Sequence, residues 1–442
     1  MKKIIFLLCF LLVVSQFPSV VESQKTEIKS SSINQEIDDM LENVNESTLY
    51  HYLENLIKIG PRFTGSDNCR KAAEYIDDEF KNMGLYSYIQ PWEYIRRKCQ
   101  NVVATLNGTD NSSDAVFIIC AHYDTITSPY LLPTKDQSVG ANDNGGGVAS
   151  IMTIAKLFSE SSFNNTIKFI AFSGEEVGCF GSLYYAKEAY ENDENIVAVL
   201  NLDTIGTATT GKEGNNFKLW VPERSRWIYD FVGEICKKYQ EFFDLQAHFY
   251  PTFGCDHGSF IKYGYDGVLF SEYEYSKYFH SAEDTIDKIN FTYLEKVTKC
   301  VLATLYELEN NPIDIQVRFV NPREGYFHIF DSEPIRMPFF NSIRFRYSGL
   351  TFILGRTTAK VEVKSKEDFS RIDFVLDGEY VFIGNSSNIT EWVIRGFMGP
   401  LVGRHTLAVY AYNSSGKVSY DEMDLFIVSP LPSFRPIFPR KQ

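Results

Sequence analysis

The sequence predicts an α/β fold: a three-layer αβα sandwich on a mostly parallel mixed sheet, followed by a smaller all-β sandwich. Over residues 47–311, apolar runs of strand length alternate with stretches of helical period, the pattern of a parallel sheet covered on both faces. After Asn311-Pro312 that alternation stops, and short runs between turn signals take over. At 442 residues, with 44% hydrophobic and 23% charged content, the chain can fill one large core and a second, smaller one.

Residues 1–23 read as a secretory signal peptide. Lys2 and Lys3 precede an apolar core from Ile4 to Val14, with small residues at Val21 and Ser23 for cleavage. An uncleaved anchor is the alternative reading of the same residues. The expected location is therefore secreted or extracytoplasmic. No later apolar run is long enough to span a bilayer, so no stable membrane insertion is expected after cleavage. Residues 24–46 read as a polar, acidic lead-in. Of eight cysteines, Cys9 leaves with the signal, and the remaining seven include an odd thiol. There is no CxxC pair, which argues against a thiolate zinc site. N-x-Ser/Thr sequons begin at Asn45, Asn107, Asn111, Asn164, Asn290, Asn385, Asn388 and Asn413, and in an exported glycoprotein each would have to face solvent.

Ser47 can cap a helix through Leu49, Leu53 and Ile57, which Gly60-Pro61 ends. A second helix, about 68–83, carries Ala72, Ile76 and Phe80 on one face and stops at Gly84. Strands follow at 85–92, 101–106 and 115–120, then a helix at 148–158, strand 167–172, helix 179–190 and strand 196–202. Strand 217–221, a helix at about 224–239, strand 267–271 and helix 291–309 complete the first domain, 47–311.

From Ile313 to Val428 no helical pattern recurs. Strand-length runs lie at 315–320, 326–330, 342–347, 360–363, 372–376, 405–412 and 424–428, with a hairpin signal at Asp377-Gly378. This predicts a sandwich of immunoglobulin-like size over 312–430, then a Pro-rich tail at 431–442. It carries no site chemistry, so its expected role is structural or adhesive, with cell-surface association left open.

Chemistry concentrates at the carboxyl ends of the first domain's strands, where ligands bind in this fold class. His122 and Asp124 follow strand 115–120, Glu175 and Glu176 follow strand 167–172, and Asp203 follows strand 196–202. Asp143 lies in Gly140-Ala141-Asn142-Asp143-Asn144-Gly145, and His280 in His280-Ser281-Ala282-Glu283-Asp284-Thr285. Imidazole and carboxylate suit zinc, and one carboxylate can bridge two ions about 3.5 Å apart. Adjacent acids at the exit of a buried strand need positive charge beside them, and two divalent ions balance them better than one. Each residue alone has a plainer reading: Asp143 could cap helix 148–158, and Asp203 could be a turn residue.

The order of these segments resembles the secreted di-zinc aminopeptidases of the zinc exopeptidase superfamily, leucyl aminopeptidase-like enzymes. His122-Tyr123-Asp124, Gly140 to Asn144, Gly174-Glu175-Glu176, Asn201-Leu202-Asp203 and His280 with Asp284-Thr285 carry the resemblance. Gly60-Pro61-Arg62 and Cys255-Asp256-His257-Gly258-Ser259-Phe260 extend it, so it covers roughly residues 48–309. It implies two Zn²⁺ per chain. Asp143 would bridge them, Glu176 and His280 would complete one site, and His122 and Asp203 the other. Glu175 would be the general base, taking a proton from the attacking water and passing it to the leaving amine. Asp124 would hydrogen-bond the far nitrogen of His122, and Asp284 could do the same for His280. Asp256, His257 and Tyr278 would border the substrate, a peptide or protein N-terminus.

Three other readings share residues with this one. A glutaminyl cyclase-like acyltransferase would use a single zinc. A carboxypeptidase or dipeptidase of the same fold would need a basic pocket, and no Arg-rich segment stands out. A binding protein that has lost catalysis would lack ligands that are all present here. The net charge of −14, with no run of Lys and Arg to reverse it, argues against nucleic acid as a partner. Gly145-Gly146-Gly147 lacks the Lys-Ser/Thr of a phosphate loop, which excludes that route to nucleotides.

Overall fold

The computed structural model describes residues 35–442, apart from 128–137, 223–224, 252–253, 311–314, 324–325, 331, 333, 337–350, 366–368, 385–390, 395–400, 415–417 and 430–442. The signal segment, the strand expected at 342–347, the sequons at Asn385 and Asn388 and the tail lie outside the described residues.

Helix α1 (Gln35–Asn43) occupies part of the expected polar lead-in. The reading as plain lead-in missed Ile37, Met40, Leu41 and Val44, which recur at helical spacing among acids. Helix α2 (Glu46–Ile57) starts two residues earlier than expected. Its cap is Asn45, not Ser47, with the Asn45 side chain accepting from the Thr48 N–H at 3.0 Å. Ser66 caps α3 (Asp67–Asn82) in the same way, through the Cys69 N–H at 3.1 Å.

Strands β1 (Tyr86–Tyr94) and β2 (Arg97–Leu106) form a hairpin, followed by β3 (Ala115–His122). After β3 come α4 (Gly146–Ser159), β4 (Thr166–Phe172), α5 (Phe180–Glu191), β5 (Asn195–Leu202) and β6 (Asn216–Trp220). Helices α6 (Arg226–Lys238) and α7 (Gln240–Phe243), strand β7 (Gln246–Tyr250), helix α8 (His257–Ile261), strand β8 (Gly267–Glu272) and helix α9 (Phe291–Asn310) complete the region. Sheet order is β1-β2-β4-β3-β5-β8-β6-β7. The centre, β4-β3-β5-β8, is parallel, while β1, β2 and the β6/β8 pair introduce antiparallel neighbours.

Alternation along the central strands explains why helices cover both faces. Ile118 and Cys120 of β3 and Ile170 and Phe172 of β4 pack with Tyr185 of α5 and Phe260 of α8. Phe169, pointing the other way, packs on Phe80 of α3 and Phe158 of α4, with ring centroids 6.4 and 6.3 Å apart. Each such fully buried ring contributes roughly 2–3 kcal/mol from removal of apolar surface.

The C-terminal region is all β among its described residues. Its strands are β9 (Ile315–Asn321), β10 (Tyr326–Ile329), β11 (Ile335–Arg336), β12 (Thr351–Leu354), β13 (Thr357–Ser365), β14 (Phe369–Leu376), β15 (Glu379–Gly384), β16 (Glu391–Ile394), β17 (Leu401–Asn413) and β18 (Val418–Ser429). They form one sheet ordered β11-β10-β12-β18-β17-β14-β15 and another ordered β16-β13-β9. Val317, Phe319 and Val361 of the smaller sheet share a core with Phe374, Leu407 and Leu425 of the larger. The β14–β15 turn uses Asp377 at φ 53° and Gly378 at φ 80°, both left-handed as a tight hairpin requires.

Two sequons have asparagines held by the fold: one buried, one half-buried. Asn413 is 2% exposed, and the Asn290 side chain donates to Ala208 O at 3.0 Å while accepting from Tyr293 N at 3.1 Å. The seven described cysteines are free thiols; Cys236 and Cys300 sulfurs lie 3.8 Å apart. Among the described residues, no helix is long and apolar enough to cross a membrane.

Candidate metal centre

The parallel register brings the functional side chains to one rim. His122, the last residue of β3, pairs with Phe172 of β4, and Cys120 pairs with Asn201 of β5. Chain exits carrying Glu175, Glu176 and Asp203 therefore stand on either side of His122. Gly174 permits the first exit: it sits at φ 81°, and a Cβ there would lie 2.5 Å from the Trp92 ring. Asp143 arrives from the turn Ala141–Gly145 that feeds α4. His280 arrives from the loop after β8.

The Asp143 carboxylate faces both histidines. Its Oδ1 is 3.2 Å from His122 Nε2, and its Oδ2 is 3.1 Å from His280 Nε2. His122 Nε2 is also 3.4 Å from Asp203 Oδ1, and His280 Nε2 is 3.0 Å from Glu176 Oε2. Two clusters result, His122–Asp143–Asp203 and Asp143–Glu176–His280, each with ligand atoms within 4.8 Å of one another. His122 Nε2, Asp143 Oδ2, Glu176 Oε1 and Asp203 Oδ1 are buried and have no hydrogen-bond partner among the described residues. Such atoms need a partner, and the donor set of two imidazoles and three carboxylates fits zinc.

Charge without metal reinforces this fit. Burial alone would lift Asp143, but the two histidines hold it well below the usual carboxylate range. Burial pulls His280 down, yet Asp143 and Glu176 push it up to about 10. Burial, then the Asp143 charge, raises Glu176. Burial, with Asp203, Glu176 and Asp256 nearby, holds Glu175 well above the usual range. Protons thus stand in for cations where the acids crowd together.

Glu175 belongs to neither histidine cluster. It lines a cavity of about 430 Å³ with Asp143, Asp203, His280 and an aromatic wall of Trp220, Tyr250, Tyr275 and Phe279. Cys255 also lines the cavity, its Sγ 3.1 Å from Asp203 Oδ2. Four non-glycine residues here have left-handed backbones: Cys179 (φ 58°), Thr204 (51°), Cys255 (75°) and His280 (52°). Each costs roughly 1–3 kcal/mol and persists where surrounding contacts dictate it.

The supporting residues differ from expectation. The far nitrogen of His122 lies 3.1 Å from the Asp124 backbone carbonyl, while the Asp124 carboxylate is at 3.6 Å. That carboxylate instead accepts from Thr64 Oγ1 at 2.6 Å and from the Glu175 N–H at 3.3 Å. Asp124 therefore positions the exit that carries Glu175. Asp284 does not reach His280: it accepts from the backbone N–H groups of Asn142 and Asp143 at 2.8 and 3.0 Å. Asp256 and His257 are fully buried and are not among the residues that line the cavity. Tyr278 lies off the cavity lining, its ring beneath Lys277 and Lys288.

Two supporting residues escaped the sequence reading of the site. Arg62, fully buried, donates to the carbonyls of Tyr123, Val139 and Gly140 at 2.6, 2.6 and 3.1 Å. It ties the His122 exit to the Asp143 turn and sets a fixed cation beneath the acids. Glu272, at the end of β8, accepts from Asn142 Nδ2, the Thr207 N–H and hydroxyl, and the Ser276 N–H. It binds the Asp143 turn to the loop of His280. A carboxylate closing an apolar strand was the signal that picked out Glu175, and it applies equally to Glu272.

A carboxylate-bridged pair of ligand clusters on the rim of an α/β sheet defines a class, the metal-dependent hydrolases. Residues 101–305 match the family model Peptidase family M28. A probable aminopeptidase of Saccharomyces cerevisiae is 26% identical over 288 residues, covering 62% of this chain and 75% of its own. Leucine aminopeptidase 1 of Colletotrichum graminicola is 28% identical over 301 residues, covering 63% and 72%. The fold is similar to that of the Legionella pneumophila LapA aminopeptidase, with TM-score 0.55 and 21% identity over 62% of this chain and 75% of that one. It is similar also to BSAP, a zinc aminopeptidase from Bacillus subtilis, with TM-score 0.52 and 17% identity over 60% and 94%. The chain is an enzyme, a hydrolase, similar over residues 101–305 to peptidase family M28 and with aminopeptidases among its homologues.

Proposed function

We propose that the chain is an exported aminopeptidase that removes N-terminal residues from peptides with two zinc ions and a glutamate base. The observation that carries this is the Asp143 carboxylate, whose two oxygens each face a different histidine. His122 and Asp203 would hold one ion, Glu176 and His280 the other, and Asp143 both. Bound zinc supplies Lewis acidity, lowering the pKa of water to about 7 and polarising a carbonyl.

The chain's own residues do the rest. Glu175 opens on the cavity and, raised by burial, can hold a proton between the attacking water and the departing amine. Asp124 fixes the backbone of that glutamate, and Thr64 fixes Asp124. The acid-rich rim favours a free α-amine over a free carboxylate at the scissile end. Names of relatives, aminopeptidases of fungi, support the same polarity. The Lys2–Val14 segment supports export, and the shared core of the C-terminal sheets supports an immunoglobulin-like sandwich with a structural or adhesive role, including attachment at a cell surface.

The test is zinc per chain together with hydrolysis of amino-acid arylamides and their N-blocked forms. Two zincs and cleavage of free-amine substrates alone are expected. One zinc per chain, or equal cleavage of blocked substrates, would overturn the reading.

A further inference from the structure

We infer that the catalytic cavity is flanked by an anion subsite, built on Lys218 and Lys212, that takes a carboxylate of the substrate. This deepens the aminopeptidase reading and rests on it.

Register places the subsite. In β6, Trp220 stands opposite Tyr250 of β7 and Leu269 of β8, and all three line the cavity. Two residues back, Lys218 stands opposite His248 and Ser271 on the same sheet face. Leu202 pairs with Phe270, so Asp203 is level with Ser271 and hence with Lys218. Two strand spacings, about 10 Å, separate the backbones of Lys218 and Asp203. The intervening ring is Tyr275, which touches Phe279 and the cavity.

The chemistry there is opposite to that of the rim. The Lys218 ammonium lies over Tyr273 and Tyr275, at 5.6 and 5.9 Å from the ring centroids, and its side chain is only 22% exposed. The Lys212 ammonium lies over the same Tyr273 ring at 4.9 Å. Aromatic faces hold these cations without neutralising them. The acid nearest Lys218 is Glu274, at 4.0 Å and 65% exposed, too far and too hydrated to cancel the pair. His248, against Tyr273 at 4.9 Å, is held below its usual pKa by burial and then by both lysines. Glu213, next to Lys212, is turned onto the Thr209 N–H and hydroxyl, and Asn216 Oδ1 at 2.6 Å from His248 Nε2 and Ser271 opposite Lys218 are neutral. Two cations beside a cavity, one of them paired only with a distant, hydrated carboxylate, favour an anion in a chain of net charge −14. A bound peptide would then lie between opposite charges, with its amine at the acids and its carboxylate at the lysines.

The carboxylate has two sources, the C-terminus of a short peptide or an acidic side chain on the N-terminal residue. The experiment compares kcat/KM for Leu-Gly-Gly against its C-terminal amide, and for glutamyl against glutaminyl p-nitroanilide, at low and high salt. Wild type is expected to prefer the charged member of one pair by at least fivefold, and which pair identifies the source. The Lys212→Met/Lys218→Met variant is expected to bring that ratio close to one, as is raised salt in wild type. A ratio is independent of the fraction folded, and Lys212→Met alone, on an exposed side chain, should lower it partway. Equal rates within both pairs in wild type, or a preference that survives in the double variant, would overturn the subsite. Failure of wild type to cleave leucine p-nitroanilide would instead overturn the aminopeptidase reading.

Discussion

Asp143 and Glu175 divide the labour of the centre, and substitution should separate them. Glu175→Gln is expected to keep both zincs while kcat falls at least about 100-fold. Asp143→Asn is expected to lose metal, because a neutral amide cannot answer two histidine-bound cations. Metal analysis beside kinetics checks both. Without metal, His280 holds its proton up to about 10, so at neutral pH zinc must displace that proton. The sign follows: a proton bound below pH 10 competes with zinc, and competition weakens as pH rises. Zinc affinity of the apoprotein is expected to increase from pH 6 to 8, read by chelator competition. Glu272→Gln sets an amide NH₂ against N–H and O–H donors from Thr207 and Ser276. Roughly 10- to 100-fold weaker zinc binding is expected, measured in the same titration. That His122, Glu175, Glu176 and Asp203 emerge at one rim was legible in the sequence because strand ends fix where they emerge. Their supports were not: whether Asp284 holds a histidine or the Asp143 backbone depends on a few tenths of a turn in a loop, which residue type leaves open.

Elements were legible where period and length agree. The long helices α3, α4 and α9 and the central strands fall within a few residues of expectation. Edge and short elements were not. β7, Gln-Ala-His-Phe-Tyr, is a half-covered edge strand with no clean alternation. The β1–β2 turn uses Ile95 and Arg96 at φ 45° and 63°, with no glycine or asparagine to announce it, so residues 97–100 went unread as strand. α6 and α9 touch through Cys236 and Cys300. An exported chain is expected to oxidise this pair, giving a cross-linked peptide by mass spectrometry without reductant. The chain-entropy account gives about 4 kcal/mol for such a loop. Thermal unfolding with and without reductant checks it.

At the scale of the molecule, each sheet system has its own core. Phe374 lies in the C-terminal one, so Phe374→Ala is expected to cost about 3–5 kcal/mol in that region's unfolding, seen by calorimetry. Zinc content and kcat should stay as in wild type. The change from alternating to all-β patterning at Asn311-Pro312 made this division legible, because period reports what each segment packs against. How the regions meet was not: Arg323 stacks on the Tyr190 ring at 4.2 Å, a contact between residues far apart in sequence that no local pattern encodes.

Asp284, bonded to the backbone of Asn142 and Asp143, has a bearing on biogenesis. A ribosome delivers the bridging acid some 140 residues before the group that steadies its turn, and His280 arrives almost as late. A chain cut short before residue 280 therefore lacks both the second histidine of the cluster and the carboxylate that steadies the Asp143 turn.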